Sequence, residues 1–273
     1  MTTFESQSDV SRLNRDALNN MPPHDWLIPD WSAPAHVRAV STTRYGGVSR
    51  GNYFSMNPAA HVHDDERAVM QNRRLVQQIL GLRNQPYWLD QYHSTRIVDL
   101  DRAGPDCRAD GSTVTRDEAA CVVMTADCLP VLLTDRKGQR IAALHAGWRG
   151  LADGILEAGV EQFSPADDVI AWLGPAIGPE KFEVGEEVIS LLSTENLTQA
   201  AWCRKSAKTG KWLVDIYKLA SLRLQMSGVT EVSGGGYCTF TDEQRFFSYR
   251  RQGDCGRMAT LIWLDHQAGG GQT

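Results

Sequence analysis

The segment Cys121–Gly150, CVVMTADCLPVLLTDRKGQRIAALHAGWRG, constrains the fold more than any other part of the chain. Apolar strand-like runs at Ala119–Met124, Leu129–Thr134 and Arg140–His145 are each too short for a typical helix. Between the last two lies DRKGQ, a short polar loop with glycine, so the pair reads as a hairpin turning near Gly138. A hairpin sets the start of one strand beside the finish of the next. Cys128 stands at such a start and His145 at such a finish, so the two are expected to be neighbours at one end of a sheet.

Further strand-like runs are Val37–Thr43, Tyr87–His93, Arg96–Leu100, Val169–Leu173, Arg245–Tyr249 and Met258–Leu264. Helical spacing appears after Asp64 or Asp65, where Val69, Val76, Ile79 and Leu80 share a face that ends at Gly81. Leu151–Phe163 and Val184–Leu192 read as two more helices. Asp215 caps a fourth, with Ile216, Leu219, Ala220 and Arg223 in register up to Gly228. Paired strands mixed with isolated helices predict an α+β chain with mixed sheets rather than a strict βαβ alternation. No repeat and no internal linker interrupts the body of the chain. The expected organisation is a polar N-terminal extension over residues 1–24, one catalytic domain over 25–265 and a flexible tail over 266–273.

Hydrophobic residues make up 42% of the 273 and charged residues 22%, enough for a sizeable core without disulfides or a structural metal. The formal net charge of -5 argues against a nucleic-acid partner, which needs a basic footprint. A small anion held by a few local arginines remains compatible with it. No run approaches the roughly 20 apolar residues of a membrane span, and the N-terminus has no basic start followed by an apolar stretch. Six cysteines scattered through a large chain with no export signal indicate reduced thiols, and the lack of a CxxC pair argues against a zinc ribbon or a thioredoxin-type motif. A cytoplasmic location is therefore expected, and the chain is expected to be a monomer.

The chemistry concentrates around Cys128. His145 is followed by Ala146-Gly147-Trp148-Arg149-Gly150, whose glycines permit a tight turn into a helix, and a helix N-terminus favours anions. Asp127 places a carboxylate beside Cys128. His93 closes the run Trp88–His93 and supplies a third candidate ligand. Two imidazoles and a thiolate suit zinc, and three protein ligands leave a position open for chemistry where a structural site would take four. Without a metal, Cys128 and His145 could instead form a nucleophile–base pair of a cysteine hydrolase. A buried cysteine and a core histidine are the bland alternative.

STTRYGGVS, TADCLPVLL, HAGWRG, AWLGPAIGPEKFEVG and FFSYRR together resemble the polyphenol-oxidase-like, laccase-domain family of bacterial proteins, also known as peptidoglycan editing factors and as multifunctional purine nucleoside phosphorylases. The resemblance spans about residues 26–265. It implies a four-layer α/β/β/α sandwich with one active site and a His–Cys–His metal set matching His93, Cys128 and His145. It also implies phosphorolysis of adenosine, inosine, guanosine and methylthioadenosine, with hydrolytic deamination of adenosine, so nucleoside and phosphate are the expected small-molecule partners. Two departures stand out. Asn57-Pro58-Ala59 followed by His61-Val62-His63-Asp64 replaces the family's Asn-Leu-Gly, and Lys181 replaces a cysteine ahead of Phe182-Glu183-Val184.

In that setting Arg44, Arg149 and Arg250 are candidate phosphate-binding residues, and Asp127 is the candidate for assisting the leaving purine. Each arginine also reads as a solvated loop or strand-end residue. Cys107, Cys121, Cys203, Cys238 and Cys255 read as structural thiols, His61 and His63 as solvated, and Gly234-Gly235-Gly236 as a loop without a phosphate cradle. Copper-dependent phenol oxidation is the rival enzyme reading, and copper the alternative metal. Oxygen reduction at several coppers asks for more ligands than seven histidines without a His-Cys-His run readily supply. A non-catalytic cell-wall quality-control factor is the rival from another class.

Overall fold

Successive residues of a strand face opposite ways, and in this chain both directions are buried. In β4 (Ala120–Thr125), Cys121 and Val123 point into one apolar cluster, Ala120 and Val122 into another. In β5 (Leu129–Asp135), Leu129, Val131 and Leu133 join a third cluster, while Leu132 meets the first. β6 (Ile141–Ala146) divides in the same way, with Ala142, Leu144 and Ala146 opposite Ile141 and Ala143. Strands covered on both faces read as continuous apolar runs rather than alternating ones.

The computed structural model describes residues 25–265, apart from 103, 105, 118, 165–167 and 195–196. The remaining elements are β1 (Val37–Ser41), α1 (Glu66–Ile79), β2 (Ile97–Asp99), β3 (Gly111–Val114), α2 (Trp148–Asp153), α3 (Ile155–Val160), β7 (Val169–Leu173), β8 (Glu183–Gly185), α4 (Glu186–Leu192), β9 (Cys203–Lys205), β10 (Lys211–Val214), α5 (Ile216–Met226), β11 (Glu231–Gly234), α6 (Tyr249–Gln252) and β12 (Met258–Leu264). Among the described residues three sheets form, in the orders β1-β12-β4, β11-β7-β5-β6-β3-β2 and β8-β10-β9. The first is antiparallel, and the six-stranded sheet is mixed, with parallel pairs at both edges.

The clusters define four layers. Val76 and Leu80 at the end of α1 cover the outer face of the three-stranded sheet, against Val122, Leu261 and Trp263. Its inner face packs on the six-stranded sheet through Val123, Ile262, Leu132 and Ala143. The far face of the large sheet carries α2, α3, α4 and α5, through Leu151, Ile155, Ile189 and Leu219. The expected α/β/β/α sandwich with mixed sheets is the observed architecture.

Local chemistry explains the elements. Asp65 caps α1 by accepting the Ala68 N–H at 2.9 Å, and Asp215 caps α5 through Lys218 at 2.9 Å. Asp135 shapes the β5–β6 turn by accepting the N–H groups of Lys137, Gln139 and Arg140 at 2.8, 3.0 and 2.7 Å, with Gly138 at φ 64°. The register then pairs Pro130 with His145 and Leu129 with Ala146. The expected hairpin is present, and Cys128 lies one residue before β5.

Several expectations need correction. Tyr87–His93 forms only isolated bridges at Tyr87 and Asp90, and His93 turns into the left-handed region at φ 65°. Arg245–Tyr249 is not a strand: Asp242 folds that segment back through the Arg245 N–H, and Tyr249 begins α6, capped by Ser248. Leu151–Phe163 is two short helices separated at Gly154, φ 98°. Glu183–Gly185 is a strand and the helix starts at Glu186. The expected extension over 1–24 and tail over 266–273 lie outside the described residues. Among the described residues, no helix is long and apolar enough to cross a membrane.

Leu132 is fully buried between the six-stranded sheet and the three-stranded sheet β1-β12-β4. Leu132→Ala is expected to cost roughly 2–5 kcal/mol in urea denaturation. A loss under about 1 kcal/mol would mean that the sheets repack freely around it.

Candidate metal centre

Two strand ends and one loop build the site. Cys128 precedes β5, His145 lies near the end of β6, and His93 projects from the loop before β2. His93 Nε2 lies 3.8 Å from Cys128 Sγ, and the two imidazole centroids are 4.8 Å apart at a steep angle. Candidate ligand atoms of all three residues fall within 4.8 Å of one another, a group that could hold a metal ion. A tetrahedral zinc sets such atoms roughly 3.3–3.6 Å apart, so shifts of less than about an ångström per side chain complete the set. The donor chemistry fits as well: one soft thiolate, two borderline nitrogens, and an open side toward a cavity.

The ionisation of Cys128 favours metal binding, because the thiolate is the ligating form. Burial pushes the Cys128 thiol up, but the two imidazoles outweigh it and hold the thiol below its usual range. Burial also works against a charged His145, yet Cys128 and Asp110 raise it. Asp110 stays ionised, its carboxyl drawn down to about 2 in spite of burial by hydrogen bonds from His145 and the Ser94 backbone. It accepts from His145 Nδ1 at 2.8 Å, which leaves Nε2 as the ligand nitrogen.

Gly147 is part of the same construction. Its backbone, at φ -66° and ψ 162°, would suit any residue. The absence of a side chain matters for a different reason than the tight turn expected from the sequence. A Cβ there would lie 2.7 Å from His93 Cδ2 and 3.1 Å from Cys128 Sγ.

The three residues lie on the wall of a cavity of about 510 Å³. Trp148, Ile177, Phe182 and Ile216 make one apolar side. His61, Arg149, Arg250 and Arg257 bring polar and basic groups, and Asp127 an acidic one. Arg149 stacks over Trp148 at 4.2 Å. Arg250 is more tied down: its N–H donates to Asp127 at 2.7 Å and its guanidinium to the Glu183 carbonyl at 2.9 Å. The second Asp127 oxygen accepts from the Thr239 hydroxyl at 2.6 Å, so Asp127 also braces the first turn of α6.

Arg44 is not among the residues lining this cavity. It donates to the carbonyls of Phe54 and Glu243 and sits over Phe247, clamping two loops together. The helix after His145 is only six residues long, too short to offer the expected anion-binding N-terminus. His63 pairs with Asp254 on the surface, whereas His61, read as solvated, is exposed and yet lines the cavity. All six cysteines are free thiols.

Sequence reading missed Asp110, His61 and Arg257. Asp110 was hidden because the strand it starts, Gly-Ser-Thr-Val, has no apolar pattern. Arg257 stands one residue before β12, in the same relation to its strand as Cys128 to β5, so strand starts were the available signal.

Known proteins are similar to this chain over most of its length. A model of the family described as multi-copper polyphenol oxidoreductase laccase matches residues 38–265. A purine nucleoside phosphorylase of Pseudomonas aeruginosa is 51% identical over 240 residues, 88% of this chain and 98% of that protein. One of Escherichia coli is 44% identical over 241 residues, 87% of this chain and 98% of the relative. Among solved structures, a Neisseria meningitidis protein of the DUF152 family aligns with a TM-score of 0.83 at 46% identity, over 88% of this chain and 99% of that one. YlmD of Geobacillus stearothermophilus aligns at 0.80 and 28% identity, over 90% and 98%.

Gly147→Ala is expected to keep the fold, since alanine suits that backbone, while weakening metal binding by at least about tenfold, as displaced ligands do. Chelator competition measures it. An unchanged affinity would show that the ligands do not meet at Gly147.

Proposed function

The chain belongs to the family described as multi-copper polyphenol oxidoreductase laccase, and we propose that it is a zinc-dependent purine nucleoside phosphorylase. Adenosine, inosine, guanosine and methylthioadenosine are the proposed substrates, with deamination of adenosine to inosine at the same site. The observation that carries the reading is the placement of His93, Cys128 and His145 on the wall of a cavity with apolar and basic sides. Two relatives named purine nucleoside phosphorylase, 51% and 44% identical, support it.

Phosphorolysis joins a phosphate oxygen to C1′ of the ribose and breaks the C1′–N9 bond. The bonding pair leaves with the purine, which takes up a proton as the phosphate gives one up. His93, Cys128 and His145 would hold a divalent ion, which would supply Lewis acidity and positive charge to the cavity. Trp148, Ile177, Phe182 and Ile216 bury a flat base and exclude water. Arg149, whose guanidinium forms no hydrogen bond or ion pair among the described residues, is the proposed phosphate ligand, with Arg250 beside the same cavity. Asp127 is proposed to accept a hydrogen bond from the purine. Each of its oxygens accepts one bond in the structure and keeps room for another.

The family description favours a second reading, phenol oxidation at copper. Among the described residues one His/Cys group suited to a metal is present, whereas oxygen reduction at several coppers needs further ligands beside it. Phosphate-dependent release of free base from a nucleoside, against oxygen uptake with a phenol, separates the two.

Cys128→Ala is expected to abolish both phosphorolysis and deamination, followed by chromatography of the released base and inosine. Full activity in that variant overturns the metalloenzyme reading. Arg149→Ala is expected to raise the phosphate KM by roughly 10–100-fold, the worth of hydrogen bonds to a charged group, while deamination persists. Equal loss of both activities, with fold and metal content intact, would mean that Arg149 does not act through phosphate.

A further inference from the structure

We propose that Asp110 is the positioning residue of the metal centre, fixing both histidine ligands through one carboxylate without touching the ion. The inference rests on the metal-centre reading and not on the choice of substrate.

Asp110 is fully buried, and five donors converge on its two oxygens. Oδ1 accepts from the His93 N–H at 2.9 Å and from His145 Nδ1 at 2.8 Å. Oδ2 accepts from the Tyr92 and Ser94 N–H groups at 3.2 and 2.6 Å and from the Ser94 hydroxyl at 2.8 Å. The carbonyl of the same residue accepts the His145 N–H at 2.7 Å. His145 is therefore held at both ring and backbone, and His93 through its own amide and those on either side.

Each half has a separate consequence. At His145, the bond to Nδ1 selects the tautomer whose Nε2 lone pair is available to a metal. At His93, three consecutive N–H groups wrap one carboxylate, and this wrapping holds a non-glycine residue in the left-handed region at φ 65°. Because His93 and His145 share Oδ1, moving one shifts the acceptor of the other. Cys128 stands apart, placed by the start of β5. The two nitrogens are thus preset as a pair and the thiolate independently.

The substitution Asp110→Asn tests this. Whichever way the amide lies, its NH2 faces N–H donors. On the Oδ1 side it drives the proton of His145 to Nε2 and blocks that ligand, and on the Oδ2 side it opposes the 92–94 loop. Zinc affinity by chelator competition is expected to fall roughly 10–100-fold, the usual cost of losing an outer-shell partner. The visible spectrum of the cobalt-substituted protein should change, and nitrogen-detected NMR should show His145 losing its Nδ1-protonated form. Wild-type affinity, cobalt spectrum and tautomer in a folded Asp110→Asn protein overturn the proposal. If that variant does not fold, Ser94→Ala decides, since it removes one of the five donors and spares the carboxylate. A weakening of about two- to tenfold, the worth of one net hydrogen bond, supports the proposal, and unchanged affinity overturns it. None of these measurements uses a nucleoside, so failure of the phosphorylase reading leaves them intact.

Discussion

Pro130 pairs with His145 across the β5–β6 hairpin, and the register of that pairing governs what stands at the end of the large sheet. Side chains alternate along a strand, so a slip of one residue would replace His145 with Leu144 or Ala146. Two features prevent the slip. The Asp135 carboxylate ties three backbone N–H groups of the turn into one conformation. Burial on both faces means that a slipped strand would drive His145 into the helical-side core beside Leu129 and Leu151. Core packing and turn chemistry therefore do the first part of building the site, before any ligand-specific interaction.

Charge supplies the second part. Cys128, His145 and Asp110 lie where ionised groups lose hydration, and each alone would favour its neutral form. Together they offset that cost, since the Cys128 thiol is held down by the imidazoles, His145 is raised by Cys128 and Asp110, and Asp110 is held ionised by the bonds it accepts. That mutual dependence explains why removing one member of a buried charge set costs more than the worth of any single bond. On the cavity side the balance is positive, with Arg149, Arg250 and Arg257 facing one Asp127. The chain as a whole is acidic at -5, so attraction of an anion is a local property of this cavity.

Where the sequence was legible, the physics was local. The hairpin could be read because its runs are apolar and its turn carries glycine. α1 and α5 could be read because Asp65 and Asp215 cap them and Gly81 and Gly228 follow their ends. The ligand trio followed from strand ends and from the family resemblance. What stayed hidden depends on distant partners. β3 is small and polar, and becomes a strand only because β6 and β2 flank it. The Tyr87–His93 run has β-forming residues, but Asp110 bends its end away from any sheet. Arg245–Tyr249 looks like a strand, yet Phe246 and Phe247 bury themselves in a separate small cluster with Cys255 and Met258. Arg44, beside two glycines, resembled an anion ligand until two carbonyls claimed its guanidinium.

The cavity draws its walls from two kinds of structure. His145 and its neighbour Cys128 come from the rim of the stacked sheets, where almost every adjoining residue is packed on both sides. His61, Tyr249, Arg250 and Arg257 come from irregular segments or one-turn helices that carry none of the four layers. Inheritance can therefore act on the two parts at different rates. The sheet rim tolerates little drift, because each change there is felt through the stack. The exposed positions of the other part, His61, Tyr249 and Arg250, can diverge while the stack stays the same. A lineage built this way can retune recognition repeatedly while its chemistry stands still.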